Sequence, residues 1–174
     1  MTREKYMKRQ KGRTKNYGKR QRSYKRWQID DSDFRCCHCK QIVSIHSMMG
    51  TMHRNHCPHC LWSKHVDTKP GNRQSDCHGS MQPLGFTLKH NGYDKYGNRR
   101  LDDIMIIHLC VKCGEFNINR IAADDNAYTI EALFKESLSL SQSIRKKLAS
   151  SNIFLIGEDE EVLLKTSLFG KSDK

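Results

Sequence analysis

The sequence predicts a small α+β domain in which cysteine knuckles and a β-hairpin replace a large core, with a disordered basic N-terminal arm and a C-terminal helical extension. Three observations carry that reading. Only 36% of the 174 residues are hydrophobic and the mean hydropathy is -0.78, so apolar burial alone falls short of the entropy of ordering the chain. Eight cysteines, six of them in three C-x-x-C pairs, offer metal ligation as a substitute, because binding a metal adds folding free energy directly. The net charge of +12 is gathered at one end of the chain.

The arm, residues 1–33, comes first. Residues 1–28 hold twelve Lys or Arg against the single acid Glu4, a net of +11, while the rest of the chain carries 19 basic and 18 acidic residues, a net of +1. A basic arm on a nearly neutral body calls for a polyanionic partner. No hydrophobic periodicity runs through it, and Gly12 and Gly18 interrupt any helix. Its candidate RNA-binding residues are Arg3, Lys5, Lys8, Arg9, Lys11, Arg13, Lys15, Lys19, Arg20, Arg22, Lys25 and Arg26 for phosphates, with Tyr17, Tyr24 and Trp27 to stack on unpaired bases. The basic residues form no helical stripe, which suits threading through folded RNA better than reading a DNA groove, and no helix-turn-helix or ββα finger pattern occurs.

Asp30, Asp31 and Asp33 mark a shift in composition, and the predicted zinc-binding domain spans residues 34–126. Cys36-x-x-Cys39 and Cys57-x-x-Cys60 lie seventeen residues apart, the spacing of zinc-ribbon-like knuckles that converge on one tetrahedral ion. Residues 66–80, rich in Gly, Pro, Asn and Ser, read as loop. The β-type runs 86–90 and 104–109 flank turn residues at Asn91-Gly92 and Tyr96-Gly97-Asn98, predicting a long hairpin. At its far end Cys110-x-x-Cys113, with Cys77 from the loop, supplies three thiolates of a second zinc site. A tetrahedral ion needs a fourth ligand, for which His65, His78 and His108 are candidates; His108 shares strand parity with Cys110. Cys37 is left over as a bystander. Thiols in a chain with no apparent export signal favour two Zn2+ ions over disulfides.

The extension, 127–174, opens behind Asp124, Asp125 and Asn126, which offer capping groups to a helix with a discontinuous apolar face of Ile130, Leu133, Phe134, Leu138, Ile144 and Leu148. Residues 153–156 and 162–164 read as short strands, with the acids at 158–161 as their turn.

Several classes are disfavoured. No stretch approaches the ~18 apolar residues of a membrane span, and residues 1–28 lack both a secretory apolar region and the amphipathic face of a transit peptide. The expectation is therefore cytoplasmic, with no membrane partner. There is no H-E-x-x-H, deaminase-type H-x-E, Ser-His-Asp set or phosphate-cradling glycine loop. His38, His46, His53, His56, His59 and His90 accordingly read as surface, supporting or RNA-contacting groups, and neither catalysis nor a small-molecule substrate is expected.

Arg54-Asn55-His56-Cys57-Pro58, running on to Cys60-Leu61-x-Ser63-x-His65-Val66-Asp67, resembles the signature of the RNHCP family of zinc-binding proteins. The resemblance extends through Pro70-Gly71-Asn72-Arg73, Cys77-x-Gly79-x-Met81-x-Pro83, Ile106-Ile107-His108-x-Cys110-x-x-Cys113-Gly114, Asn119-Arg120-Ile121-Ala122 and Asp124-Asp125. It implies zinc binding and singles out His65 as fourth ligand of the second site. It also marks Arg54, Asn55 and His56; Arg54 and Asn55 are expected to hydrogen-bond the knuckle and its thiolates, with direct RNA contact by these residues as the alternative. Asn72 departs from the pattern, in which Asp is expected, at a turn that touches no cysteine. The function expected is a zinc-stabilised RNA-binding protein associated with the ribosome and its rRNA. The alternatives are a zinc-ribbon adaptor for DNA or protein in transcription, and a zinc-dependent enzyme on nucleic acid.

Overall fold

Five consecutive buried residues, Ile104 to His108, do not alternate between core and solvent, so the strand carrying them must be covered on both faces. The computed structural model describes residues 33–45, 54–69, 72–98 and 102–169, and the whole predicted RNA-binding set in 1–28 lies outside them. Among the described residues, a two-stranded sheet pairs β1 (Phe34–Arg35) with β2 (Ile42–Val43). An antiparallel four-stranded sheet runs in the order β3 (Ser63–Lys64), β4 (Ser80–Lys89), β5 (Asp103–Cys110), β6 (Phe116–Arg120). Three helices follow, α1 (Ala127–Leu138), α2 (Gln142–Ser150) and α3 (Glu161–Phe169). This is the α+β class the sequence predicted.

The hairpin forms in the expected region and pairs Met81 with Cys110 at one end and Lys89 with Asp103 at the other. One face of the sheet packs Phe86, Ile104 and Ile106 against Ile130, Leu133 and Phe134 of α1 and Leu164 of α3. The other packs Leu84 and Ile107 against Leu148 of α2. The register shifts between Pro83 and Gly85. This bulge sits where β4 no longer has β3 on its flank, since β3 pairs only Ser80 and Met81. Gly85 has a φ of +154°, and a Cβ there would lie 2.6 Å from Ser137 Cβ and 2.9 Å from Leu155 Cδ2. Helix α1 crosses β4 at the one residue that has no side chain.

The extension departs from expectation in three places. The apolar face over 130–148 belongs to two helices, because the chain turns at Ser139–Ser141 and Arg145 reaches back to cap α1. Its Nη2 donates to the carbonyls of Ser137 (3.1 Å) and Leu138 (2.8 Å), and its Nε to Leu140 (3.1 Å). Residues 162–164 are helical, not a strand. Glu158–Glu160 form a 3₁₀ turn in which Glu160 Oε2 accepts the Gly157 N–H at 2.7 Å, and the acids then favour a helix N-terminus. Glu161 pairs with Lys165 at 2.9 Å one turn on, and Leu164 is buried with Leu168 packed against the same cluster. Residues 153–156 also form no strand; Ile156 N–H donates to the Phe86 carbonyl at 3.0 Å, one hydrogen bond along the open flank of β4.

Replacing Gly85 by Ala should cost about 2–3 kcal/mol, the penalty of overpacking against a fixed helix. Urea unfolding of the zinc-loaded protein would show it as a lower midpoint with an unchanged slope.

Candidate metal centres

Each C-x-x-C pair closes a hairpin by the same device. The first cysteine donates its N–H to the carbonyl five residues on: Cys36 to Gln41 (2.9 Å), Cys57 to Trp62 (2.9 Å), Cys110 to Glu115 (2.8 Å). The residue after the second cysteine takes a positive φ, 64° at Lys40, 59° at Leu61 and 79° at Gly114. That left-handed step turns the chain back and leaves both sulfurs on one side. At Leu61 it costs roughly 1–2 kcal/mol, offset by a side chain buried completely in the core.

The knuckles assemble two donor groups, Cys36/Cys39/Cys57/Cys60 and His65/Cys77/Cys110/Cys113, in each of which the ligand atoms lie within 4.8 Å of one another. The Sγ separations are 3.5 Å for Cys36–Cys60, 3.6 Å for Cys39–Cys57 and 3.6 Å for Cys77–Cys110, and Cys113 Sγ lies 3.2 Å from His65 Nδ1. A tetrahedral zinc with ~2.3 Å bonds sets sulfurs about 3.8 Å apart, whereas a disulfide needs ~2.05 Å. All eight cysteines are free thiols. Gly79 shows how tightly the second group is drawn: a Cβ there would stand 2.8 Å from Cys110 Sγ and 3.3 Å from Cys77 Sγ.

The thiols' proton affinities fit the same purpose. Burial pushes Cys36 up, but the N–H groups of His38 and Cys39 outweigh it and bring the thiol down to about 7. In the second group burial of Cys110 is likewise outweighed, by the N–H groups of Cys113 and Lys112, and it falls to about 6. Burial, with the neighbouring thiols, pushes Cys57 and Cys113 up to about 11 and Cys60 higher still. Cys36 and Cys110 form thiolates readily, while Cys57, Cys60 and Cys113 resist until a divalent cation supplies the missing positive charge. Two groups of four soft or borderline donors are positioned for two metal ions, consistent with zinc.

His65 is thus the histidine brought to the second group. It is held there by its N–H to Gly79 O (2.8 Å) and by His78 N–H to its own carbonyl (3.1 Å), while its Nε2 faces Glu115 at 3.5 Å. The other two candidates are elsewhere. His78 is exposed. His108 keeps the parity of Cys110, but its Nε2 donates to Leu61 O at 2.7 Å and its Nδ1 accepts from Asn119 Nδ2 at 3.0 Å. Cys37 joins neither group; its thiol donates to Ser63 O at 3.3 Å.

Arg54 and Asn55 serve carboxylates, and Arg54 Nη1 also donates to the His56 carbonyl at 3.4 Å, where the chain enters the second knuckle. Asp125 is the hub, accepting from His56 Nε2 (2.8 Å), Arg54 Nη1 (3.4 Å) and Ala122 N–H (2.8 Å), while Arg54 Nη2 pairs with Asp124. The helix cap is Asn126, whose Oδ1 accepts from Thr129 N–H at 3.0 Å. Asn126 N–H and Thr129 Oγ1 also donate to the carbonyls of Pro58 (2.9 Å) and His59 (3.0 Å), fastening α1 to the second knuckle. Asn55 Nδ2 donates to Asp67 Oδ2 at 2.9 Å, and Asp67 Oδ1 accepts Arg73 N–H at 2.6 Å. At Asn72 the amide suits its turn: Oδ1 accepts from Thr68 N–H (3.0 Å), and Nδ2 donates to Thr68 Oγ1 (2.8 Å), a hydroxyl that could equally donate to a carboxylate in its place. Of the remaining histidines, His38 stacks on Trp62 and His90 pairs with Asp102; His46 and His53 lie outside the described residues.

Gly79→Ala should lower bound zinc from two ions toward one per chain, measured by elemental analysis, with the first group still filled. Burial, with His56 nearby, lowers His108 to about 3. Below the unfolded value of ~6.5 the unfolded chain binds a proton that the folded chain refuses, so stability falls as pH drops from about 6.5 towards 3, by up to ~1.4 kcal/mol per pH unit. His108→Gln, which keeps a neutral donor, should show a shallower loss than wild type across that window in denaturant titrations.

A comparison with curated proteins and one with solved structures each give no match. The family model described as the RNHCP domain matches residues 31–131. That span takes in both donor groups, the Asp125 hub and the first turn of α1, and on it the chain belongs to the RNHCP domain family.

Proposed function

We propose that the protein is a zinc-stabilised RNA-binding factor that associates with the ribosome through rRNA. The observation that carries this is the division of charge, with a net of +11 on residues 1–28 and +1 on everything after them. Lys and Arg at that density neutralise phosphates and release counterions, and Tyr17, Tyr24 and Trp27 among them can stack on unpaired bases. The body supports a binding role. Each donor group already has four protein ligands, the closed arrangement of structural zinc, whereas catalytic zinc keeps a position for water. On this reading the protein is not an enzyme, has no small-molecule substrate and works in the cytoplasm. Among the described residues no helix is long and apolar enough to cross a membrane. The step from RNA to the ribosome is an analogy with small zinc proteins that carry long basic extensions.

The test is sedimentation of tagged protein from lysate through sucrose gradients at low and high salt, with full-length chain beside a deletion of 1–28. Full-length protein should travel with ribosomal particles at low salt and leave them at high salt, and the deletion should stay at the top. Full-length protein that remains at the top in both salts would refute the ribosomal reading. Binding that survives the deletion would favour an adaptor.

A further inference from the structure

Beside the first metal group lies a cavity of about 270 Å³ between the small sheet and β3. That is near the lower end of the roughly 300–1,000 Å³ of small-ligand clefts, enough for one nucleotide and too small for a duplex. We propose that this cavity holds a single unpaired RNA nucleotide, its base against Phe34 and Trp62 and its phosphate met by Arg35, Lys64 and Arg73.

Three observations support the assignment. Phe34 and Trp62 are half-buried and line the cavity, giving it aromatic surface. Arg35, Lys64 and Arg73 line it too, all exposed, and none pairs with a carboxylate among the described residues. The described lining contains no Asp or Glu, so the cavity selects for an anion. Asp67 Oδ1 accepts the Arg73 N–H at 2.6 Å and so fixes the backbone that carries one of the three cations. Aromatic surface beside unpaired cations suits a stacked, unpaired base and reads little sequence.

The inference rests on the RNA reading above, but it concerns the body and not the arm, so the two can fail separately. The experiment uses full-length, zinc-loaded protein. Single-stranded hexamers carrying 4-thiouridine are photo-crosslinked and the adducts mapped by mass spectrometry, beside a duplex of the same sequence. UMP and an acidic peptide are titrated in parallel, followed by backbone amide shifts. Crosslinks at Phe34 or Trp62 are expected from single strands and not from the duplex. The double variant Lys64→Ala/Arg73→Ala should lower their yield about tenfold and reduce the salt slope by roughly one for each phosphate that is no longer neutralised. Those side chains donate no hydrogen bond to the described residues, and a zinc content still at two ions will show the variant is folded. Trp62→Ala should lower the yield by a similar factor through weaker stacking.

Crosslinks confined to residues 1–28 would overturn the pocket and leave the arm's role standing. If no RNA crosslinks but UMP shifts amides of the cavity, and Lys64→Ala/Arg73→Ala abolishes the shift, the nucleotide chemistry is supported as a free-nucleotide site and the RNA reading falls. Binding of the acidic peptide there without UMP or RNA would overturn the nucleotide assignment in favour of a protein partner.

Discussion

The body depends on holding seven thiols and one imidazole at metal distance, because little else binds its N-terminal part together. The cluster beneath the first donor group consists of Cys36, Val43 and Cys57, edged by Phe34, Cys39, Cys60 and Trp62. So small a cluster contributes far less than the ordering of the chain costs. Two-residue strands such as β1 and β2 add almost nothing by themselves. An ion that binds four side chains from two distant stretches offsets this locally, and the repeated left-handed turn after each cysteine pair presents the donors to it.

From that point the order propagates by neutral and charged hydrogen bonds. The second knuckle gives its carbonyls at Pro58 and His59 to the start of α1 and its Leu61 carbonyl to His108. Arg54 and His56, just upstream, share Asp125 some seventy residues away. The network is almost entirely buried, so removing one partner would leave a charge without compensation, which costs more than the pair itself gains. The metal group and the helical layer are therefore joined by polar bonds and, through Leu61, by the apolar cluster it shares with Ile130, Leu133 and Phe134 of α1.

What the sequence made legible follows from this division. Spacing within a knuckle is local: each C-x-x-C pair and the hairpin could be read from residues a few positions apart, while Cys77, 33 residues before Cys110, was joined to them only as the cysteine of the preceding loop. His65 needed the family resemblance, since His78 and His108 satisfied the same local criteria and only tertiary geometry separates them. Arg54, His56 and Asp125 carry no local sign of their meeting, and the acids at 124–125 read as helix capping because the distant arginine that claims them is invisible in sequence. Strand β6 escapes a sequence reading although Phe116 and Ile118 alternate with Asn117 and Asn119, a period-two signal in a short run of weak polarity contrast. Helix α3 reads as strand because Val162-Leu163-Leu164 is a short apolar run whose type only the bonds made by the flanking Glu160 and Lys165 decide.

Leu61 occupies the left-handed step where Gly114 stands in the third knuckle, and it pairs that backbone cost with a side chain sealed in the main core. The same residue thus belongs to the metal turn, the apolar cluster and, through its carbonyl, the clasp on His108. Ligation by Cys60 and burial of the isobutyl group hold the same backbone step, so each supports the other. Metal occupancy and core integrity then form one linked equilibrium, in which the free zinc concentration sets the folded fraction of the chain as a ligand would.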